Sequence, residues 1–121
     1  MAETYNCTRV RFEILREIAY TDFDVAGGFV PVGAALAHPA RAVIINNDTD
    51  KPLYASWNGV DRHMGIPAFT TMIVDIGSNM AAQAGVAEIP AYDRLWVKQK
   101  VVLEPPTVGY VDFSVMYLTN V

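Results

Sequence analysis

The chain has 121 residues, of which 52% are hydrophobic and 18% are charged, and its formal net charge at pH 7 is −4. This length is typical of one domain, here spanning residues 1–121, that folds without disulfides or metals. The acidic balance argues against a protein that binds nucleic acid by neutralising phosphates. No apolar run approaches the ~18 residues that a membrane-spanning helix needs. Neither nucleic acid nor a membrane is therefore an expected partner.

The single cysteine and the first residues predict a cytoplasm-like environment. Cys7 has no second cysteine with which to form an internal disulfide, so nothing indicates an oxidising compartment. Met1–Asn6 contains no basic region followed by an apolar one, so no secretory signal is expected. The high apolar content has two explanations: a large β-sandwich core, or a surface that another chain partly covers.

The first third of the chain predicts an extension followed by strands. Residues 1–8 are mostly small and polar, so we expect an N-terminal extension that packs on a neighbouring copy. Arg9–Ile14 alternates polar and apolar residues, which predicts a half-buried strand. The alternation slips over Leu15–Tyr20, which either continues the strand through a bulge or forms a helical turn. Phe29–Val32 predicts a short extended piece, and its proline favours a sheet edge.

The central run, Ala42 to Ile76, predicts three strands separated by two turns. Ala42–Ile45 is apolar and β-branched, Leu53–Trp57 alternates, and Ala68–Ile76 is apolar and rich in threonine. Asn46–Pro52 and Asn58–Gly59 lie between these runs, and their Asn, Asp, Gly and Pro residues are typical of β-turns.

The last third predicts a short helix and two long strands. Ser78–Gly85 has good helix propensity, a serine cap and a terminal glycine. Asp93–Leu103 and Tyr110–Tyr117 predict strands on either side of a turn at Glu104–Gly109. The chain is therefore expected to be an all-β, antiparallel sandwich of jelly-roll type, with about seven or eight strands and one short helical segment.

No residues form a convincing catalytic or zinc site. Ser56 and His63 are close in sequence, but Ser56 lies within a strand and lacks the glycine-flanked turn of a nucleophile. His38 and His63 with one cysteine do not supply the four ligands of a structural zinc site. The sequence thus predicts a protein that is not an enzyme, with no catalytic residues, cofactor or metal.

One acidic stretch has the spacing of calcium ligands. Asn46, Asp48 and Asp50 alternate, but Lys51–Pro52 follows them and no acidic residue returns before Asp61. A hairpin turn explains the same residues better than a calcium loop.

Arginine is the preferred basic residue of this chain, supplying six of its nine cations. Arginine suits bidentate, partly desolvated pairs with carboxylates at interfaces. Ordinary surface ion pairs, each contributing little stability, are the alternative explanation.

Several turn motifs resemble a group of small virion structural proteins of tailed bacteriophages. Val32–Arg41 contains the Leu-x-His-Pro-x-Arg stretch of that group, and Asn46–Asp50 and Tyr54–Gly59 resemble its Asn/Asp-rich turn and its strand ending in Asn-Gly. Pro105–Val111 is similar to its closing hairpin. The resemblance covers Phe29–Asp75 and the last fifteen residues, and its motifs are turn signatures.

The resemblance implies a non-enzymatic, homo-oligomeric β-sandwich that is made in the host bacterial cytoplasm and incorporated into the virion. Such proteins form a ring or collar at the neck between head and tail, or decorate (cement) the capsid. Their partners are further copies and portal, adaptor, tail or major capsid proteins. Exposed aromatics and arginines dominate interface centres. The expected interface residues are Tyr5, Arg9, Arg11, Phe29, Val30, Tyr54 and Trp96.

A carbohydrate-binding module is a further alternative, because sandwiches with exposed aromatic rings bind sugars by stacking. Tyr54, Trp57 and Trp96 would form the platform, and Asn58 and Asp61 would supply polar contacts.

Overall fold

A computed structural model describes residues 8–75 and 89–120, and in that part of the chain nine strands form two antiparallel sheets. The strands are β1 (Thr8–Phe12), β2 (Arg16–Ala19), β3 (Val30–Pro31), β4 (Ala42–Thr49), β5 (Leu53–Ser56), β6 (Met64–Ile66), β7 (Thr70–Asp75), β8 (Trp96–Gln99) and β9 (Gly109–Asn120). A 3-10 turn, Tyr20–Asp22, follows β2. No helix of the described residues is long and apolar enough to cross a membrane.

The strand pairing is nested. In the first sheet, β1 and β2 lie end to end along β9, and β4 and β7 follow. In the second sheet the order is β3, β8, β5, β6. If β1 and β2 are counted as one interrupted strand, each of the first four strand positions pairs with its counterpart from the end of the chain. This is the arrangement of an eight-stranded jelly roll, so the predicted fold class is confirmed.

The core lies between the two sheets, where alternate residues of each strand face inward. Val111, Phe113 and Val115 of β9 are fully buried, as the alternation in this segment predicts. Leu53 of β5 and Val97 of β8 face them from the second sheet. Burial of such side chains contributes roughly 1.5–3 kcal/mol each, and this contribution fixes which face of each sheet points outward.

A bulge separates β1 from β2. Phe12 pairs with Met116 and Arg16 with Phe113, so three residues of the first strand lie opposite two of β9. The Glu13 amide still donates to the Val115 carbonyl at 3.0 Å. The extra residue explains why the alternation slips after Ile14. The sequence left a bulge and a helical turn open, and the strand continues through the bulge.

The predicted central turns are partly wrong. β4 runs through Thr49, so Asn46–Thr49 is strand and the connection to β5 is shorter than expected. That connection also passes from one sheet to the other, so it is not a hairpin. Met64–Ile66, which lies between the second and third of the predicted strands, pairs with β5 and gives this region a fourth strand. The turn at Asn58–Gly59 is confirmed, with Gly59 at φ 76° against the Trp96 ring.

Other predictions differ mainly in length. β8 ends at Gln99, and the chain then turns, with the Glu104 amide donating to the Val101 carbonyl at 2.9 Å. β3 lies at the edge of its sheet, as Pro31 predicts. The predicted helix at Ser78–Gly85 and the predicted extension, apart from Thr8 at the start of β1, lie outside the described residues.

Buried Asn47 explains how the Asn-rich segment is accommodated in a strand. Its amide group donates to the carbonyls of Lys51 and Pro67, both at 3.0 Å, and its oxygen accepts from the Thr49 hydroxyl at 2.6 Å. One inward amide therefore ties the end of β4 to both neighbouring connections.

Asn47→Ala is expected to lower the free energy of unfolding by about 2–3 kcal/mol, because buried backbone groups lose their partners. Urea unfolding followed by tryptophan fluorescence measures this loss. Asn46→Ala is the matched control: its side chain lies on the outer face with one bond, to the Thr71 hydroxyl at 3.0 Å, and its removal should change stability by about 0.5 kcal/mol or less. Equal losses in the two variants would contradict this role of Asn47.

Candidate interaction surfaces

Ser56 and His63 both serve the turn between β5 and β6. The Ser56 hydroxyl donates to the Asn58 side-chain oxygen at 2.9 Å and accepts from the Gly59 amide at 3.0 Å. His63 Nδ1 accepts from the Trp57 amide at 3.0 Å. Ser56 and His63 therefore form hydrogen bonds with the turn and not with each other, and both stabilise the turn.

Asn46, Asp48 and Asp50 do not converge. Asn46 and Asp48 project from the outer face of the first sheet, whereas Asp50 accepts from the amide and hydroxyl of Thr107. The Thr107 hydroxyl, with the Thr107 amide, lowers the pKa of Asp50. Within residues 8–75 and 89–120, no group of three or more His, Cys, Asp or Glu side chains is placed to hold a metal ion.

The outer face of the second sheet combines aromatic rings with positive charge. We call it the cationic face; its residues are Phe29, Tyr54, Arg62, Arg94, Trp96, Lys98 and Lys100. Tyr54, Trp96 and Lys98 are half-buried and alternate with the inward residues of β5 and β8. Phe29 precedes edge strand β3 and Arg62 precedes β6, so the face extends over the whole width of this sheet.

Each cation of this face lies over a ring. The Arg62 guanidinium is 4.9 Å and the Lys100 ammonium 5.6 Å from the Tyr54 centroid. Arg94 is 5.5 Å from the Trp96 centroid and Lys98 is 4.7 Å from that of Phe29. Such cation–π contacts hold the charges in place but leave them un-neutralised.

No carboxylate of the described residues forms an ion pair with these four cations. The ion pairs between described residues are Arg16–Glu13 and Lys51–Glu104, and the His38–Glu13 hydrogen bond becomes a third only when the His38 ring is protonated. The cationic face is therefore a concentration of positive charge on a chain whose formal net charge is −4.

The outer face of the first sheet has the opposite charge. We call it the acidic face; its charged residues are Glu17, Asp48, Asp75 and Asp112. Glu17 and Asp112 lie directly opposite each other on β2 and β9. A hydrogen bond with Asp112 raises the pKa of the exposed Glu17 carboxyl. No lysine or arginine of β1, β2, β4, β7 or β9 occupies an outward position on this face.

One end of the acidic face and the adjoining bulge expose large apolar side chains. Phe12 is 62% exposed, Ile14 90% and Ile73 68%. Next to the bulge is an open groove of about 550 Å³, lined in part by Leu15 and Tyr117. Exposed apolar patches of this kind mark interaction surfaces in soluble proteins.

The bulge is held by a buried carboxylate that the sequence did not single out. The Glu13 side chain is only 5% exposed. It accepts from Arg16 Nη2 at 2.7 Å, from the His38 amide at 2.7 Å and from His38 Nδ1 at 2.8 Å. The Ala37 amide is a further donor at 3.1 Å. Burial raises the pKa of this carboxyl, but the hydrogen bonds outweigh it and leave the pKa below its usual value.

The two partners of Glu13 are fixed in turn. Arg16 Nε donates to the Ala34 carbonyl at 2.7 Å, and the His38 ring stacks on Tyr117 with centroids 3.8 Å apart. The connection between β3 and β4 is thereby fastened to the edge of the first sheet. The slip in alternation after Ile14 was the one sequence signal of this arrangement.

The expected interface residues separate into groups. Phe29, Tyr54 and Trp96 come together on the cationic face, and Arg9 and Arg11 are exposed on β1. Val30 faces inward and packs against the core, and Tyr5 lies outside the described residues.

The three rings of the predicted sugar platform are not together. The Trp57 ring packs against buried Phe113, with centroids 5.7 Å apart, on the opposite side of the sheet from Tyr54 and Trp96. Arg62 and Lys100 lie over Tyr54, and Arg94 lies over Trp96.

Comparison with known proteins does not assign the chain to a family. No protein-family model matches the chain, and no curated protein matches it.

Proposed function

We propose that this chain is a non-enzymatic structural subunit of a bacteriophage virion and that it assembles with copies of itself into a ring at the head–tail neck. The resemblance of its turn motifs to small virion proteins of tailed phages supports this function. The jelly-roll sandwich agrees with it, since viral capsid domains use this fold; lectins use it too, so the fold supports the proposal only by analogy.

The observation that carries self-assembly is the apolar surface around the bulge and the adjacent end of the acidic face. Phe12, Ile14 and Ile73 are each more than 60% exposed. Exposure of apolar side chains to water is unfavourable, and packing against a neighbouring copy removes that exposure. A subunit of a particle requires a rigid fold with apolar surface to bury, and a closed ring requires two different surfaces that meet head to tail.

The function is tested on the purified full-length chain and on phage particles. Light scattering with electron microscopy should show a closed oligomer. Mass spectrometry of particles should find the chain at the copy number of one ring. A copy number that follows the major capsid protein would instead indicate the decoration role. A monomer absent from particles would overturn the proposal.

Phe12→Ser and Ile73→Ser should each weaken self-association about tenfold, because truncating a buried interface side chain typically costs more than 1 kcal/mol. Sedimentation velocity over a dilution series measures the change. Val25→Ser is the matched control, since Val25 is 79% exposed in a loop outside this surface. If all three variants associate like the unaltered chain, this surface does not contribute to assembly.

A further inference from the structure

We propose that the cationic face of one copy docks on the acidic face of the next, so that these two faces form the head-to-tail contact of the oligomer. The inference rests on the proposed function in so far as that function requires self-assembly. It adds which surfaces meet and why they recognise each other.

The cationic face provides groups that are ready to bind carboxylates. Its four cations have no carboxylate partner among the described residues, and each is already positioned over an aromatic ring. A carboxylate from a neighbour can pair with them without breaking an existing ion pair. Charge-assisted hydrogen bonds formed in this way are roughly twice as strong as neutral ones, and the ordered side chains lose little entropy.

The acidic face, conversely, places like charges next to each other. Glu17 and Asp112 oppose each other across β2 and β9, and like charges in this position destabilise a sheet. A neighbouring copy that brings lysine and arginine would relieve this repulsion. Tyr110 and Ile73 are exposed on the same face and would meet the rings of the cationic face.

The position of the two faces selects the type of contact. They are the outer surfaces of the two sheets and therefore lie on opposite sides of the sandwich. A two-fold symmetric dimer through either face would place like charges against each other. Only a heterologous contact joins opposite charges, and such a contact closes into a ring when the rotation between copies permits. A nucleic acid would explain the cationic face but not the acidic one, and the net charge of −4 disfavours it.

The test uses full-length variants with one face reversed. Arg62→Glu/Lys100→Glu alters two exposed cations over the same ring, and Glu17→Lys/Asp48→Lys alters two exposed carboxylates. Each variant alone should be a folded monomer by circular dichroism and light scattering. Mixing them in equal amounts should restore association, to at least the dimer, because each retains one intact face. Raising the salt concentration should dissociate the unaltered oligomer.

Arg9→Glu/Arg11→Glu is the matched control, with the same change in net charge on the exposed edge strand β1, and it should assemble normally. Loss of the oligomer in this control alone would place the contact at the β1 edge and overturn the inference. So would face variants that keep the oligomer, mixtures that stay monomeric, or binding of single-stranded DNA that Arg62→Glu/Lys100→Glu abolishes without altering assembly. In each of these cases the unaltered chain still assembles, so the proposed function survives; an unaltered chain that is monomeric overturns both.

Discussion

Gly109→Ala should destabilise the protein by about 4 kcal/mol or more, which lowers the melting temperature by roughly 10–20 °C for a chain of this size. Gly109 begins β9 opposite Thr49, with φ at 98°, a conformation that other residues rarely adopt. A Cβ added here would overlap the backbone carbonyl of Asp48. Backbone cannot move aside as a flexible side chain can, so the start of β9 has to shift away from β4.

Gly65→Ala is the control for this prediction. Gly65 lies in β6, has no atom within 4 Å of an added Cβ and does not have a positive φ. Alanine here should leave stability unchanged or raise it by up to about 1 kcal/mol, since glycine weakens a strand interior. Differential scanning calorimetry of both variants provides the comparison. A Gly109→Ala protein that melts within a few degrees of the unaltered chain would show that β9 tolerates a different path past Asp48.

The sequence predicted those features that depend on local alternation. The alternation over Tyr110–Tyr117 predicted that Val111, Phe113 and Val115 lie on one face, and these side chains are buried together. Pro31 predicted an edge strand because it cannot donate a ladder hydrogen bond. Local alternation decides which side chains point inward, and with the turn residues this was sufficient for the all-β sandwich.

The errors arose where tertiary contacts override local preference. Asparagine is common in turns, yet the Asn47 side chain donates hydrogen bonds to the carbonyls of Lys51 and Pro67 and is thereby accommodated inside a strand. Met64–Ile66 is too short to be recognised alone and becomes a strand through pairing with β5. Neither partner is visible in the local pattern.

The candidate surfaces were predictable only in part. Tyr54 and Trp96 could be named as interface aromatics from residue type. The cations that surround them come from separate segments, with Arg62 in a loop, and only the strand order places them on one face. The acidic face likewise depends on the registration of Glu17 with Asp112, and register between distant strands is not encoded in either strand alone.

Glu13→Gln should lower the free energy of unfolding by about 2–4 kcal/mol at neutral pH, because it turns a satisfied buried acceptor into a group with mismatched partners. In the unaltered protein, N–H groups of Arg16, Ala37 and His38 donate to the Glu13 carboxylate. The N–H groups of a glutamine amide would face some of these donors, and neither group could then accept. The bulge and the connection before β4 should loosen together. Chemical denaturation measures the loss, and hydrogen exchange at the His38 amide reports the loosening.

Glu17→Gln is the matched control, with the same substitution four residues away on the exposed acidic face. It removes the charge repulsion with Asp112, so stability should stay the same or rise slightly.

The Glu13 and Glu17 carboxyls also predict opposite dependence of stability on pH. Glu13, whose pKa is lowered on folding, contributes stability that is present above about pH 4.3 and lost as the pH falls through its folded-state pKa. Glu17, whose pKa is raised, has an unfavourable interaction that protonation relieves as the pH falls from neutral.

Unfolding experiments from pH 7 down to pH 3 separate these contributions, since ∂ΔG/∂pH follows the difference in bound protons. The acid loss of stability should be smaller in Glu13→Gln, which has already lost the carboxylate, and should remain in Glu17→Gln. If Glu13→Gln instead keeps both full stability and the full acid loss, the buried carboxylate is not what fastens the bulge. The exposed apolar side chains at the bulge would then have to be positioned by the backbone pairing of β1 and β2 with β9 alone.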